Sequence, residues 1–244
     1  MRNIKLIISY NGANYCGWQI QPGEITIQEK VEDALSKTFH EEIKTVAAGR
    51  TDAGVHALGQ VVNFYAESDI DIGNLPKVIN FNLPEDISII GAEYVEDDFS
   101  ARYCAKSKTY KYIVYNHRYR NAVYGSHTYQ YPFPVEVDIM KEASKLLIGE
   151  KDFKSFMGRK AVVKDSIRTI YEIDIIRNGD FIEFTFYGKS FLKNMIRIMV
   201  GTLLEIGRGK LTTDDLKNVL EEKDRSIAGP TAGANGLYLV EVHY

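Results

Sequence analysis

The stretch Lys106-Ser-Lys-Thr-Tyr-Lys-Tyr-Ile-Val-Tyr-Asn116 decides how the rest of the chain is read. Tyr110, Tyr112 and Val114 fall on one face of an extended chain, and Lys111, Ile113 and Tyr115 on the other. Successive side chains of a β-strand point to opposite faces, so the alternation predicts a strand. The segments before it and after it then follow the same order.

Before it, residues 4–10 alternate as a strand. In residues 26–39, Ile27, Val31, Ala34, Leu35 and Phe39 recur at helical spacing, and Thr26 with Glu29 makes a capping box. Residues 44–48 and 59–65 are short strands, 74–81 a short helix and 87–95 a strand. After it, Asp138 caps an amphipathic stretch that runs to residue 148. Residues 169–176 and 181–187 form a hairpin around Arg177-Asn-Gly-Asp180, whose Asn-Gly is a tight-turn signal. Residues 192–206 form a long helix, 213–222 an extra one, and 238–242 a closing strand. Each half is a βαββαβ pattern. The expectation is an α+β protein of two ferredoxin-like (RRM-like) halves, residues 1–100 and 101–244, with antiparallel sheets joined across a central cleft.

At 244 residues, 45% hydrophobic and 26% charged, the chain has the make-up of a globular protein with a real core. It contains no apolar run near the ~18 residues needed to cross a membrane, and its start lacks a signal-peptide cleavage pattern. Cys16 and Cys104 stand far apart without a CxxC, which argues against a disulfide scaffold and suits a reducing cytoplasm. The five histidines are scattered, and Gly207-Arg-Gly-Lys210 is too short for a phosphate-binding P-loop. No metal and no nucleotide cofactor is expected.

A formal net charge of −3 hides a segregation. Residues 99–135 contain no Asp or Glu but hold Arg102, Lys106, Lys108, Lys111, Arg118 and Arg120, with eight of the sixteen tyrosines. Cations neutralise phosphates, and phenol rings offer unpaired bases a stacking surface. A basic edge strand with half-buried tyrosines would look the same.

Gly49-Arg-Thr-Asp-Ala-Gly-Val-His56 lies between two strands. An Asp in a turn is usually structural. This connection, however, spends about ten residues on Gly, Arg, Thr, Asp and His where a hairpin needs only a few, and functional groups favour such loops.

From Gly49 to Val61 the sequence resembles the signature of the TruA-type tRNA pseudouridine synthases. Four further segments agree in order: Tyr10-Asn-Gly-Ala-Asn-Tyr-Cys-Gly-Trp-Gln19, Phe99-Ser-Ala-Arg102 with Lys108-Thr-Tyr-Lys-Tyr112, Phe191-Leu-Lys-Asn-Met-Ile-Arg197 with Val200-Gly201, and Gly236-Leu-Tyr-Leu-Val240. The resemblance spans essentially the whole chain.

It implies that Asp52 is the nucleophile of a reaction that breaks the bond between uracil N1 and ribose, turns the base and rejoins it through C5. A carboxylate can form such an adduct and leave again. In a closed pocket it stays ionised only if a cation offsets its desolvation, and the family position for that cation is Arg197. Met195, Ile196, Ile198, Met199 and Val200 surround Arg197, so it points into protein and needs a partner. The resemblance makes Tyr110 the residue that stacks on the uracil, with a possible role in proton transfer at C5, and Arg50 the one that enters the RNA helix as the nucleotide flips out. Lys108 and Lys111 are expected at phosphates, as are Lys154, Arg159, Lys160, Lys164 and Arg168 along the cleft. Thr51 and His56 are read as holding the loop together. The implied partners are the anticodon stem-loop of tRNA at positions 38 to 40, and a second copy of the chain in a homodimer. A paralogous synthase acting on another RNA such as rRNA, and a non-catalytic RRM-like RNA-binding protein, are the alternatives. A metal-dependent nuclease would need clustered carboxylates or histidines, which the sequence lacks.

Overall fold

The computed structural model describes residues 1–158 and 165–244. The chain divides into two compact units, Met1–Lys106 with Tyr238–Tyr244, and Ser107–Leu237. Both are mixed α and β.

The first unit runs β1 (Arg2–Tyr10), α1 (Ile27–Phe39), β2 (Val46–Ala47), β3 (His56–Ala66), α2 (Leu75–Asn80) and β4 (Ile87–Val95). Its strands lie in the order β4-β1-β3, with β2 on β3, and all these pairs are antiparallel. Ile4, Leu6 and Ile8 of β1 are buried, and so are Val62 and Phe64 of β3. Each such side chain stabilises the fold by roughly 1.5–3 kcal/mol. A one-residue slip of β1 would replace them on the core face by Lys5, Ile7 and Ser9, so the register is tightly specified. Helix α1 buries Ile27, Val31, Ala34 and Leu35, and Phe39 meets Phe64 edge-on at 5.5 Å. Thr26 caps it as expected, its Oγ1 accepting the Glu29 N–H, and His40 ends it in a left-handed conformation. The fully reciprocal capping box occurs elsewhere, between Thr212 and Asp215.

The second unit runs β5 (Ser107–Tyr115), β6 (Tyr129–Gln130), α3 (Val137–Ser144), β7 (Gly149–Asp152), β8 (Ile167–Asn178), β9 (Phe181–Gly188), α4 (Met195–Gly207) and α5 (Thr213–Glu222). Its antiparallel order is β5-β9-β8-β7, and short β6 adds to β5 in parallel. The expected hairpin forms, with Asn178 opposite Phe181. Glu136, and not Asp138, precedes the first turn of α3; Asp138 lies inside it, where a carboxylate still favours the helix dipole. Helix α4 is buried along almost its whole length. Strands β6 and β7 were not expected, being too short for a periodic signal.

Strand β10 (Leu237–His243) closes the chain. The sequence counts it with the second half, but residues 238–244 belong to the first unit. Tyr238 and Leu239 pair in parallel with His56 and Ala57 of β3, His243 O accepts the Lys106 N–H, and Tyr244 OH donates to Ala101 O. These contacts, which strand periodicity cannot reveal, decide its allegiance.

A buried amide network fixes the exit from β4. Asn63 Oδ1 accepts the Ala101 N–H at 2.8 Å, while its Nδ2 donates to Asn3 Oδ1 at 3.0 Å. Asn3 Nδ2 in turn donates to Glu96 O and Phe99 O, both at 2.9 Å. Asn63→Ala would orphan the Ala101 N–H and Asn3 Oδ1. At about 1–3 kcal/mol for each unsatisfied buried group, the unfolding free energy should fall by roughly 2–6 kcal/mol, read from urea midpoints at constant m-value.

Candidate active site

The Asp52 loop leaves β2 and enters β3, and the chain from Tyr10 to Trp18 holds it in place. Trp18 N–H donates to Thr51 O at 3.1 Å, and Gly54 N–H donates to Tyr15 O at 3.2 Å. The hydroxyls of Tyr10 and Thr51 meet at 2.8 Å in a buried contact. Gly12 N–H donates to His56 Nδ1 at 3.1 Å, which selects the Nε2–H tautomer of that imidazole. Within the loop, Val55 N–H closes a turn onto Asp52 O, and Gln60 Nε2 ties down Gly49 O. Thr51 and His56 thus do hold the loop together. Tyr238 stacks on His56 at 4.8 Å, and burial raises its phenol to about 12, so it stays neutral.

The clamp needs close backbone approach. A Cβ on Gly12 would penetrate the carbonyl of Val55, so only glycine fits there. The result is a half-buried Asp52 whose backbone is fixed but whose carboxylate meets no donor or cation within its own unit. Arg50, two residues earlier, is exposed.

Arg197 lies on the first turns of α4 and is half-buried. Its Nε donates to Ala232 O at 2.7 Å and its Nη1 to Asn194 Oδ1 at 2.9 Å. Ala232 N–H returns a bond to Arg197 O at 3.1 Å, so one residue grips both the backbone and the side chain of the arginine. This strap, residues 228–236, crosses α4 at Gly201, where any Cβ would collide with the Pro230 carbonyl. Only neutral oxygens hold Arg197 among the described residues of its unit, and no carboxylate there offsets its charge.

Tyr110 sits on β5, 9% exposed, with its ring edge-on to Phe191 at 5.1 Å. Tyr112, next on that face, gives its hydroxyl to Gly233 O at 2.6 Å, and burial holds its phenol well above the ordinary range. It is therefore a neutral structural donor that anchors the strap. Lys108 is half-buried on β5. Lys111, expected at a phosphate, forms an ion pair with Glu183 across the β5–β9 ladder at 2.7 Å. Arg168 bonds to Asp165 at 3.1 Å and to its own turn, while Lys154 is exposed. Arg159, Lys160 and Lys164 lie outside the described residues. No group of three or more His, Cys, Asp or Glu able to hold a metal occurs among the described residues.

The structure therefore gathers the predicted residues into two sets, Asp52 with Arg50 in the first unit, and Tyr110, Lys108, Lys111 and Arg197 in the second. Sequence reasoning missed the roles of Gly12, Tyr10, Asn194 and the strap carbonyl of Ala232. Tyr10 and Gly12 lie in the quoted stretch from Tyr10 to Gln19 and Asn194 in that from Phe191 to Arg197, so their positions, though not their contacts, were in view.

The family model described as tRNA pseudouridine synthase matches residues 6–104 and 143–244. The chain belongs to the tRNA pseudouridine synthase family. It is 45% identical over 244 residues to tRNA pseudouridine synthase A of Caldicellulosiruptor bescii, covering 100% of each chain. With tRNA pseudouridine synthase A of Thermoanaerobacter sp. strain X514 it shares 41% identity over 244 residues, again covering both chains completely. A solved structure, the archaeal box H/ACA sRNP Nop10-Cbf5 complex, aligns with 92% of this chain and 60% of that one at 13% identity and TM-score 0.38, too loose to place any residue.

In this synthase the clamp on the Asp52 loop should be sensitive to single methyl groups. Gly12→Ala is expected to cut turnover at least tenfold by displacing Val55 and with it Asp52. Tyr10→Phe, which removes one hydroxyl contact, should lower stability by only about 0.5–1.5 kcal/mol. Thermal melts run beside single-turnover assays separate the two effects; full activity in Gly12→Ala would remove the clamp from the account.

Proposed function

We propose that this protein converts uridine to pseudouridine in tRNA, with Asp52 as the nucleophile. The observation that carries the reading is the Asp52 carboxylate itself, half-buried on a clamped loop and without a partner in its own unit. Desolvating a carboxylate and leaving it unpaired is costly, and a structural aspartate in a turn normally bonds to nearby N–H groups. A carboxylate held ready for covalent attack has reason to forgo both.

Asp52 attacks the flipped nucleotide, the bond between C1′ and N1 breaks and the base turns; C5 then bonds to C1′, the bond to Asp52 breaks and regenerates its carboxylate, and the C5 proton is lost while N1 gains one. In this reading Tyr110 stacks on the uracil and takes part in proton transfer at C5. Arg197 supplies the positive charge that keeps the nucleophile ionised, and Arg50 fills the gap left by the flipped base. An acid lacking a cation in one unit and a cation lacking an acid in the other suit these roles. Lys108 contacts phosphate; Lys111 does so only on release from Glu183. No metal or cofactor takes part in this scheme.

The target is the anticodon stem-loop, and the working form is a homodimer, since pairing widens the cationic surface of a chain whose formal net charge is −3. Each half is a ferredoxin-like βαββαβ unit; the order β4-β1-β3-β2 of the first unit supports this. The enzyme works in the cytoplasm, and none of the described helices is long and apolar enough to cross a membrane.

Asp52→Asn should abolish pseudouridine formation in an unmodified tRNA transcript while tRNA affinity changes by no more than a few-fold; measurable turnover would refute the nucleophile. Arg197→Ala should lower kcat by about 10²-fold or more with a smaller effect on KM. Arg197→Lys should rescue little, because a point ammonium cannot reproduce the fork that engages Ala232 and Asn194. An unaltered kcat in Arg197→Ala would take that residue out of the site.

A further inference from the structure

Beyond the residues assigned to the reaction, the second unit carries a recess of about 560 Å³ at the C-terminal end of β5. Tyr115, Arg120, Asn121, Ser126, Gln130 and Asn235 are among its lining residues. Its size falls in the range of small-ligand sites, roughly 300–1,000 Å³. Tyr115 lies five residues along β5 from Tyr110. At ~3.3 Å per residue that is roughly 17 Å, too far for the reacting nucleotide to occupy both places.

The rim is rigid although it is a loop. Asn235 Nδ2 donates to Gly125 O at 2.9 Å and to Thr128 O at 2.7 Å, and Asn121 Oδ1 accepts the N–H groups of Val123 and Tyr124. Next to the lining residues in sequence, Tyr124 stands edge-on to Phe181 at 5.5 Å yet remains 49% exposed, and Tyr119 is 65% exposed, with His117 beside its ring and the Arg118 guanidinium 5.4 Å from the ring centre. Arg118 and Arg120 are exposed, and no carboxylate pairs with either among the described residues of the unit. A preformed concavity walled by Arg120, which no carboxylate pairs among the described residues, with two exposed rings on residues adjacent to its wall, offers what a nucleotide needs: a cation for its phosphate and a flat face for its base.

We infer that this recess is a second RNA subsite, which takes one nucleotide of the tRNA other than the uridine being isomerised. Its phosphate lies on Arg120, and its base or its neighbour's stacks on Tyr119 or Tyr124. The inference rests on tRNA being the substrate. A second copy of the chain suits the surface less well. A copy would meet the basic residues of this stretch with the same stretch of its own, and residues 99–135 contain no carboxylate to pair with them. The subsite is also tied to the proposed chemistry through the chain, because Asn235 belongs to the strap whose Ala232 grips Arg197.

The test measures binding of an unmodified full-length tRNA transcript to Asp52→Asn protein, with and without Arg120→Ala, from about 50 to 200 mM salt. Arg120→Ala should raise Kd about 3- to 10-fold and lower the slope of log K against log salt by about one. Tyr119→Ala with Tyr124→Ala should raise Kd while leaving that slope unchanged. In the otherwise unsubstituted enzyme, Arg120→Ala should raise KM for tRNA with kcat within about two-fold. An unchanged Kd and slope overturn the subsite. So does weaker binding that appears only together with a shift of oligomeric state in sedimentation velocity, because the surface would then join two copies. If the parent protein forms no pseudouridine in tRNA but Arg120→Ala still weakens tRNA binding with the lower slope, the isomerase reading fails and the subsite stands.

Discussion

The loop that carries Asp52 can offer a bare carboxylate because its own backbone groups are already satisfied. An aspartate in a flexible connection would turn back onto nearby amides, as such residues commonly do. Here the carbonyl of Thr51 and the amide of Gly54 are bonded to the chain between Tyr15 and Trp18, and the imidazole of His56 accepts from Gly12. The arrangement depends on one spatial constraint, the missing side chain at Gly12, which lets two backbones meet at Val55. The rigidity of β1 and β3, locked in register by buried Ile4, Leu6 and Ile8, carries through to the loop.

The second unit solves the converse problem, that of holding a guanidinium without neutralising it. A carboxylate beside Arg197 would cancel the charge that the proposed reaction draws on. Neutral oxygens from Ala232 and Asn194 orient the fork and leave its charge uncompensated among the described residues of the unit. The hydroxyl of Tyr112 steadies the strap from the other side, and its burial keeps the phenol protonated, as a donor must be. Donating two N–H groups to neutral acceptors costs the arginine little of its capacity to attract an anion.

Much of this was legible from residue patterns, and what escaped had physical reasons. Thr26 marked the start of α1 because an N-cap is a local chemical event, and Asn178-Gly179 marked its hairpin for the same reason. The extended run at Tyr110 and Tyr112 emerged as β5 within one residue at each end. Asp52 stood out through its surroundings of glycines and polar residues, whereas Arg197 was reached through the family resemblance, its apolar neighbours adding only that it points into protein. Strands β6 and β7 escaped because two to four residues carry no period. The allegiance of β10 escaped because a parallel pairing with β3 is set by contacts nearly two hundred residues apart in sequence. Lys111 read as a free cation until its cross-strand neighbour Glu183 was known.

The strap over α4 has a consequence for how the chain tolerates changes of length. Its Pro230 carbonyl is seated on Gly201, Ala232 is bonded at both its amide and its carbonyl to Arg197, and Asn235 is fixed to Gly125 and Thr128. Inserting or deleting one residue between positions 230 and 235 would break one of these registers whichever end was kept. The exposed tip at Asn178–Phe181 has no such second anchor and can absorb extra residues at small entropic cost. Two surface connections of similar appearance therefore differ in kind: one is a spacer, the other a gauge whose length sets where a charge sits.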